Sequence, residues 1–167
     1  MNRPLSKNQT PSFRLEESAD EALFIGEGAG VIVLQKPGNS HKQYAQINDI
    51  INTKNACFDH IDYAELQDMN KSEMHKIIDE HQLRGAKTCA IGSVESSVGN
   101  LTYASGIACI IKVCLSLYNR NLPGQRAWKS SKDPKTMSES IFYVPNRSRP
   151  WMKNRNDRRR SLIVSPE

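Results

Sequence analysis

Polar side chains that could serve acid–base or hydrogen-bonding chemistry interrupt an otherwise apolar stretch, IGSVESSVGNLTYASGIACIIKV, between Ile91 and Val113. Its layout is that of a catalytic loop: an apolar lead-in, a short polar turn closed by Gly99, and then a helix. The turn offers Glu95 and Asn100 where such a loop usually carries a base and a proton donor. An amide side chain forms hydrogen bonds but does not exchange protons near neutral pH. The segment is therefore either an active site or the remains of one.

Runs rich in β-branched residues predict the strands that position this turn. The first two runs are separated by the turn sequence KPGNSHK and are expected to pair antiparallel. Two short strands follow near the C-terminus, after a polar linker. The predicted strands cover residues 22–35, 44–52, 60–67, 87–94, 140–144 and 161–164.

Two helices are predicted between these strands. The first begins at a cap provided by Asn70 or Ser72 and stops at Gly85. The second covers residues 101–119, with Asn100 as its N-cap. This helix is apolar nearly all round and is expected to be central. Its weaker stripe consists of Ser105, Cys109, Lys112, Ser116 and Asn119. Strands alternating with helices predict an α/β domain with a mixed sheet of about five strands packed on helices.

Composition fits one domain of 167 residues with a net charge of +5. Residues 1–20 are polar and are predicted to form a flexible arm, and residues 21–167 form the domain. A basic terminal segment, residues 147–160, holds seven Arg or Lys against one Asp. We find neither a signal peptide nor a membrane-spanning run, so we expect a cytoplasmic protein without membrane association. The four cysteines have no metal-site spacing, and buried free thiols are expected.

Three ordered blocks carry a family resemblance: FIGEGAGVIVLQK, IDYAELQ, and the long stretch that begins IGSVESSVGN. Together they resemble the second half of a β-ketoacyl synthase, the condensing domain of fatty acid and polyketide synthases. The basic stretch that begins RSRPW is similar to the approach to the last strands of that domain in polyunsaturated fatty acid synthases and polyketide-like multidomain proteins. The resemblance implies a thiolase-like half-domain, the C-terminal half of a ketosynthase.

The same resemblance implies that the condensing machinery is degenerate. In that family a cysteine takes the acyl chain, two histidines activate the malonyl group and stabilise the oxyanion, and a lysine orients the site. The cysteine belongs to the half that this chain does not contain. The first histidine falls on Gln67, the lysine on Glu95 and the second histidine on Asn100. Neither amide shuttles protons, and the Glu95 carboxylate would repel a malonyl carboxylate. Glu65 stands where the family keeps an acid and is interpreted as structural.

Three functions stay open at this stage. The leading one is a catalytically inactive ketosynthase-like domain or fragment with a structural or interaction role in a multidomain fatty acid or polyketide synthase. The second is half of a functional β-ketoacyl synthase, an acyltransferase whose nucleophile lies outside this chain. The third is a basic nucleic-acid-binding module. Activity of this chain alone is not expected.

The same resemblance implies which partners the chain would have. We expect a homodimer or larger assembly, contacts with other synthase domains, and contact with an acyl carrier protein. The phosphopantetheine arm of that carrier is implied by the resemblance alone, and no bound cofactor or metal is expected. Arg158, Arg159 and Arg160 are the predicted docking surface, although a merely solvated basic segment remains the alternative. Nucleic acid is not favoured, because the segment lacks the repeated aromatic residues of a stacking platform.

Overall fold

A computed structural model describes residues 24–36, 42–51, 57–81, 87–125 and 128–165 of the chain. The predicted arm, residues 1–20, and the predicted stop at Gly85 lie outside these ranges. The helices are Lys71–Glu80 (α1), Glu95–Val98 (α2), Ser105–Asn119 (α3) and Pro134–Glu139 (α4), and a 3₁₀ turn covers Thr102–Ala104. The strands are Tyr63–Leu66 (β1), Cys89–Gly92 (β2), Asn121–Leu122 (β3), Phe142–Tyr143 (β4), Arg149–Pro150 (β5) and Ser161–Val164 (β6). The predicted α/β class is confirmed.

The main sheet has the order β4-β2-β1-β6, and all of its pairs are parallel. Helix α1 connects β1 to β2, as a parallel pair requires. All residues of β1 and β2 are buried, which is typical of central parallel strands covered on both faces. The sheet therefore differs from the predicted mixed sheet of five strands. The one antiparallel pair of the described strands, β3 with β5, forms a separate ribbon.

The first two predicted strands, 22–35 and 44–52, are wrong over their described parts. Residues 24–36 and 42–51 contain no strand, and a single bridge joins Ile25 to Asn100. An apolar alternation forms a strand only where a neighbouring strand accepts its hydrogen bonds. The side chains of this alternation project outward instead: Val31 is 86% exposed and Val33 is 88% exposed.

Side chains on both faces of the main sheet form the core. The larger cluster lies on the face covered by α1 and α4, and the smaller one packs against α3 and the β3–β5 ribbon. The larger contains Phe58, Ala64, Leu66, Met69, Met74, Ile78, Cys89, Ile91, Phe142 and Val164. The smaller contains Tyr63, Ala90, Val113, Leu122 and Trp151. The period-2 alternation of β1 and β2 thus serves two separate clusters.

Helix starts are defined by side-chain caps. Asn70 caps α1 as predicted: its side chain accepts from the Glu73 amide, and the Glu73 carboxylate accepts from the Asn70 amide. Helix α4 lies within the stretch that was predicted to be a polar linker. Asp133 accepts from the Thr136 amide, and Pro134 occupies the first turn, where it loses no hydrogen bond.

Helix α3 begins four residues later than predicted, and Asn100 is not its cap. Thr102 adopts a left-handed backbone with φ of 52°, which keeps residues 101–104 out of the α-helix. Asn100 Oδ1 accepts instead from the amide of Thr102, the first residue of the 3₁₀ turn. The Ser105 hydroxyl accepts from the Leu101 amide. The helix ends where Arg120 turns left-handed, with φ of 54°.

The side of α3 that faces the body of the protein is the one predicted to be weakly apolar. Ser105, Cys109 and Ser116 are buried, whereas Leu115 and Tyr118 on the apolar side are exposed. Small and polar side chains let the helix approach the sheet closely. Val113 is buried in the smaller core cluster and Leu117 packs against it, so the apolar surface of α3 is covered only in part by the described residues.

Two glycines allow residues 24–30 to lie close to the turn that precedes α3. The Gly26 amide donates to Asn100 O at 3.0 Å, and the Asn100 amide donates to Phe24 O at 2.8 Å. A methyl group on Gly26 would collide with the Val98 carbonyl oxygen. Gly99 adopts φ of 79°, and a side chain there would lie 2.6 Å from the Phe24 ring. Close backbone approach thus explains these two glycines.

We predict that Gly26→Ala opens this contact while Gly28→Ala does not. A methyl group on Gly28 would meet Leu101 at 3.4 Å, an ordinary van der Waals distance, so it is a matched control. Hydrogen exchange of the Asn100 amide should accelerate about tenfold or more in the first variant and remain unchanged in the second. Equal protection in both variants would show that residues 24–30 are not held in this way.

Candidate functional site

The three residues predicted to replace the catalytic groups lie near the carboxyl ends of β1 and β2. Gln67 follows β1, Glu95 opens α2 just after β2, and Asn100 follows α2. In open parallel sheets this edge is where ligands bind. The Gln67 side chain lies along the first turn of α3, with its Oε1 3.5 Å from the position of a methyl group on Gly106. The structure thus brings all three positions to one edge of the sheet.

Hydrogen bonds within this edge use the whole Asn100 amide. Its Nδ2 donates to Asp68 Oδ1 at 3.0 Å and lies 3.4 Å from Glu95 Oε1. Glu95 Oε1 also accepts from the Asp68 amide at 3.0 Å. Because Asn100 Oδ1 accepts from the Thr102 amide at 2.7 Å, both ends of the amide are engaged. We call Asp68, Glu95 and Asn100 the carboxylate–amide cluster.

The carboxylate–amide cluster is equipped for structure more than for proton transfer. Asn100 is buried, and neither an amide nor a carboxylate accepting amide N–H bonds provides a general base of histidine type near neutral pH. Sequence reasoning identified two of the three members and missed Asp68. Asp68 takes part because its backbone is left-handed, with φ of 43°, which turns its amide and carboxylate toward the other two. The signal in the sequence was the resemblance, which implies a glycine where this chain has Asp68.

Beneath the cluster lies a buried charge pair. Glu65, in β1, is fully buried, and its carboxylate lies 2.7 Å from Lys112 Nζ on α3, which is 19% exposed. The Tyr63 hydroxyl and the Val94 amide donate to the same carboxylate. Burial, reinforced by the Glu65 charge, holds the pKa of Tyr63 well above its usual value. Glu65 thus joins β1, α3 and the loop before α2, which agrees with its structural interpretation.

Gln125 secures the same loop and was not singled out from the sequence. Its side chain is buried, and its Nε2 donates to Ser93 O at 2.9 Å and to Ser96 Oγ at 2.5 Å. Its Oε1 accepts from the Ser93 amide at 3.3 Å. A loop glutamine gives no periodic signal, so only the folded chain reveals that it fixes the start of α2.

Three of the four cysteines, Cys89, Cys109 and Cys114, do not supply a ready nucleophile. Cys89 and Cys109 are buried as predicted, and burial raises the pKa of each thiol to about 12. Burial also raises the pKa of Cys114. Cys57 is exposed, contrary to the expectation of buried thiols. A thiolate is the reactive form, so raised pKa values make the first three thiols inert near neutral pH. No group of three metal-ligating side chains occurs in the described ranges.

The three arginines predicted as one docking surface have different environments. Arg158 and Arg160 are exposed, whereas Arg159 is half-buried and donates from Nε to Trp151 O at 2.8 Å. Arg159 therefore helps to hold this segment in place, and docking by the three arginines stays a prediction. Trp151 is buried and unavailable for stacking on a nucleic-acid base.

Comparison of the sequence with family models shows which protein family this chain belongs to. The family model described as Beta-ketoacyl synthase, C-terminal domain, matches residues 36–128, which is more than half of the chain. The chain belongs to this family. Two of the three sequence blocks and the edge formed by Gln67, Glu95 and Asn100 lie within the matched region, whereas the first block, residues 24–36, precedes it. The predicted ketosynthase resemblance is thereby confirmed.

Curated relatives are components of large synthases. One polyunsaturated fatty acid synthase component from Thraustochytrium sp. is 25% identical over 193 aligned residues, which cover 95% of this chain and 9% of that protein. One phenolphthiocerol/phthiocerol polyketide synthase component from Mycobacterium tuberculosis is 38% identical over 63 residues, covering 38% of this chain and 4% of that one. This ketosynthase-related chain thus spans about a tenth or less of the length of these relatives.

Solved structures confirm the thiolase-like α/β fold. Ketosynthase twelve from the bacillaene polyketide synthase of Bacillus amyloliquefaciens superimposes with a TM-score of 0.54 at 26% identity. The superposition covers 64% of this chain and 20% of that one. Within the described ranges, no helix has the length and apolar character needed to cross a membrane.

We predict that the Glu65–Lys112 pair is essential to the stability of this half-domain. Lys112→Met leaves the Glu65 carboxylate buried without its cation, which costs about 3–5 kcal/mol of unfolding free energy. The double variant Glu65→Gln, Lys112→Met should lose much less, because no charge remains buried. Urea unfolding measures both.

The exposed pair between Lys76 and Glu80 on α1 provides the control. These side chains are 3.9 Å apart and largely in solvent, so Lys76→Met should leave stability unchanged. If the loss of unfolding free energy in the double variant equals the sum of the losses in Glu65→Gln and Lys112→Met, the assignment is contradicted. The effects of substituting two groups that interact directly do not add.

Proposed function

We propose that this chain is a non-condensing ketosynthase-like unit with a structural role inside a multidomain fatty acid or polyketide synthase. The observation that supports this most is the carboxylate–amide cluster. In the family the corresponding loop positions supply two histidines and a lysine. Here Gln67, Glu95 and Asn100 occupy them, and the Asn100 amide is already engaged by protein partners.

Charge reinforces this argument. Two carboxylates, Asp68 and Glu95, lie within hydrogen-bonding reach of the Asn100 amide. A malonyl group carries its own carboxylate, and like charges at such distances repel in a partly desolvated site. An oxyanion would meet the same repulsion, since an oxyanion hole works by presenting N–H donors to developing negative charge. The alternative of a functional half-enzyme is therefore less well supported.

We expect no condensation activity. Purified chain incubated with acyl- and malonyl-carrier-protein thioesters should release neither carbon dioxide nor ketoacyl product above background, because no described side chain at the site shuttles a proton. A carbon dioxide electrode and mass spectrometry of the carrier measure both products.

A family ketosynthase that retains its cysteine, histidines and lysine provides the positive control. Decarboxylation by the native chain that disappears in Gln67→Ala or Asn100→Ala would overturn the proposal. Decarboxylation that persists in both variants would have to come from a contaminant, so the two variants also serve as the specificity control.

The proposed structural role requires a surface that another synthase segment covers. A groove of 480 Å³ runs between residues 28–30 and the apolar side of α3. Its wall on this side contains Leu101 and Ala104 from the turn before α3, four apolar residues of α3 (Ile107, Ala108, Ile111 and Leu115) and the polar Lys112, Ser116 and Asn119. Further exposed apolar side chains occur within residues 31–34 and 47–51. Exposed apolar surface of this extent is typical of an interaction site.

We predict that this surface drives self-association of the isolated chain to a homodimer or larger assembly. The paired change Ile107→Ser, Leu115→Ser should shift the chain toward monomer, since it lowers the apolar area available for burial. Multi-angle light scattering across a concentration series measures this. Val98→Ser, at an exposed apolar residue outside the groove, is the control. A native chain that is monomeric at high concentration would contradict the prediction.

A further inference from the structure

Two tyrosine rings meet on the surface near the C-terminal end of α3. Tyr44 lies in the described segment 42–51, and Tyr118 lies in the last turn of α3. Their ring centroids are 4.7 Å apart, and the planes of the rings are tilted by 44°. Tyr44 is 49% exposed and Tyr118 is 40% exposed, so both rings are in contact with solvent. Two segments that are distant in the sequence thus meet through a pair of accessible phenols.

A lysine side chain contacts both rings. Lys42 Nζ lies 4.8 Å from the centre of the Tyr118 ring and 5.5 Å from the centre of the Tyr44 ring. Both distances are within the range of cation–π attraction. A hydrogen bond to the Tyr118 side chain raises the pKa of Lys42, so the ammonium group stays charged near neutral pH. We call Lys42, Tyr44 and Tyr118 the tyrosine clasp.

The other three of the five tyrosines have different surroundings. Tyr63 is buried, and its hydroxyl donates to the Glu65 carboxylate. Tyr143 is half-buried, and the Arg149 guanidinium lies 4.7 Å from the centre of its ring. Tyr103 is fully exposed but has no aromatic ring against it among the described residues. Within the described ranges, which include all five tyrosines, the clasp is therefore the one place where two tyrosine rings are in contact.

We propose that Tyr44 and Tyr118 are a site of oxidative cross-linking, in which a haem peroxidase with hydrogen peroxide joins the two phenols by a carbon–carbon bond. Each phenol loses one electron to the peroxidase and one proton to water, which gives two tyrosyl radicals. The radicals join through the ring carbons next to their hydroxyl groups. Those two carbons then release their protons and the ring oxygens take up protons, which restores both phenols. The peroxide accepts two electrons and two protons and becomes two molecules of water.

The geometry of the clasp favours coupling within one chain. Two reactants that are already held in contact react far faster than two that must meet by diffusion. The new bond would connect segment 42–51, which carries the exposed Ile47 and Ile50, to the end of α3. Strands β1 and β2 and helix α1 lie between the joined residues in the sequence. Like a disulfide across a long loop, the bond would restrict the unfolded chain and so stabilise the folded one.

The test treats the full chain, at low concentration, with a haem peroxidase and hydrogen peroxide. Mass spectrometry should show a monomeric chain that has lost the mass of two hydrogen atoms, and a tryptic digest should contain the Tyr44 and Tyr118 peptides joined to each other. Tyr44→Phe and Tyr118→Phe should each abolish this product, because phenylalanine keeps the ring but lacks the oxidisable hydroxyl. Tyr103→Phe, at the most exposed tyrosine, is the matched control and should retain the product.

A lysine variant tests whether the arrangement of the clasp matters beyond exposure. Lys42→Met should lower the yield of the cross-link about twofold to fivefold, because it removes the cation–π contacts to both rings. Lys36→Met, at an exposed lysine outside the clasp, should leave the yield unchanged. The cross-linked chain should unfold at a higher urea concentration than treated Tyr44→Phe. Circular dichroism confirms folding of each variant.

Three results would overturn the proposal. The first is a product that joins separate chains through Tyr103 with no bond inside one chain. The second is a bond within one chain that persists in Tyr44→Phe or Tyr118→Phe, because other residues would then have coupled. The third is an equal yield from the native chain and Lys42→Met, which would show that the clasp does not position the rings.

Discussion

The buried contact between Glu65 and Lys112 is the interaction on which the rest of the structure depends. A charged carboxylate is tolerated at zero exposure only if its charge and its lone pairs are satisfied. Lys112 supplies the charge, and the Tyr63 hydroxyl and the Val94 amide supply hydrogen bonds. Together these contacts fix α3 against β1 and hold the loop that leads to Glu95. The geometry of the whole carboxylate–amide cluster follows from this arrangement.

The backbone contacts of the loop and the side chains at its catalytic positions have different roles. Gly26 and Gly99 preserve a close backbone approach, and Gln125 fixes the start of α2. These features preserve the form of a ketosynthase loop, whereas Asp68, Glu95 and Asn100 bond to one another where reactive groups would stand. A non-condensing unit of the kind we propose would still have to fold and to pack against its neighbours. The residues that support packing would therefore be needed even where proton carriers are not.

Much of this architecture could be predicted from the sequence, and the exceptions have physical causes. Runs rich in β-branched residues predicted β1 and β2, and a cap at Asn70 or Ser72 predicted α1, because these signals are local. Residues 24–36 and 42–51 alternate like strands but lack neighbours, which no local pattern reveals. The cap at Asp133 and Pro134 was a readable signal for α4. The resemblance identified the three degenerate positions, but the role of Asp68 depends on a left-handed backbone that appears only in the fold.

The central claim is that the Asn100 amide is committed to the protein and that the positions of Gln67 and Asn100 do not receive a substrate. Its most direct test is NMR of the side-chain NH₂ groups of Asn100 and Gln67 during titration with malonyl-pantetheine. The account predicts that the Asn100 signals keep their positions and their slow hydrogen exchange throughout the titration, and that the Gln67 signals do not shift saturably. Saturable shifts of both side chains, accompanied by release of carbon dioxide, would contradict it.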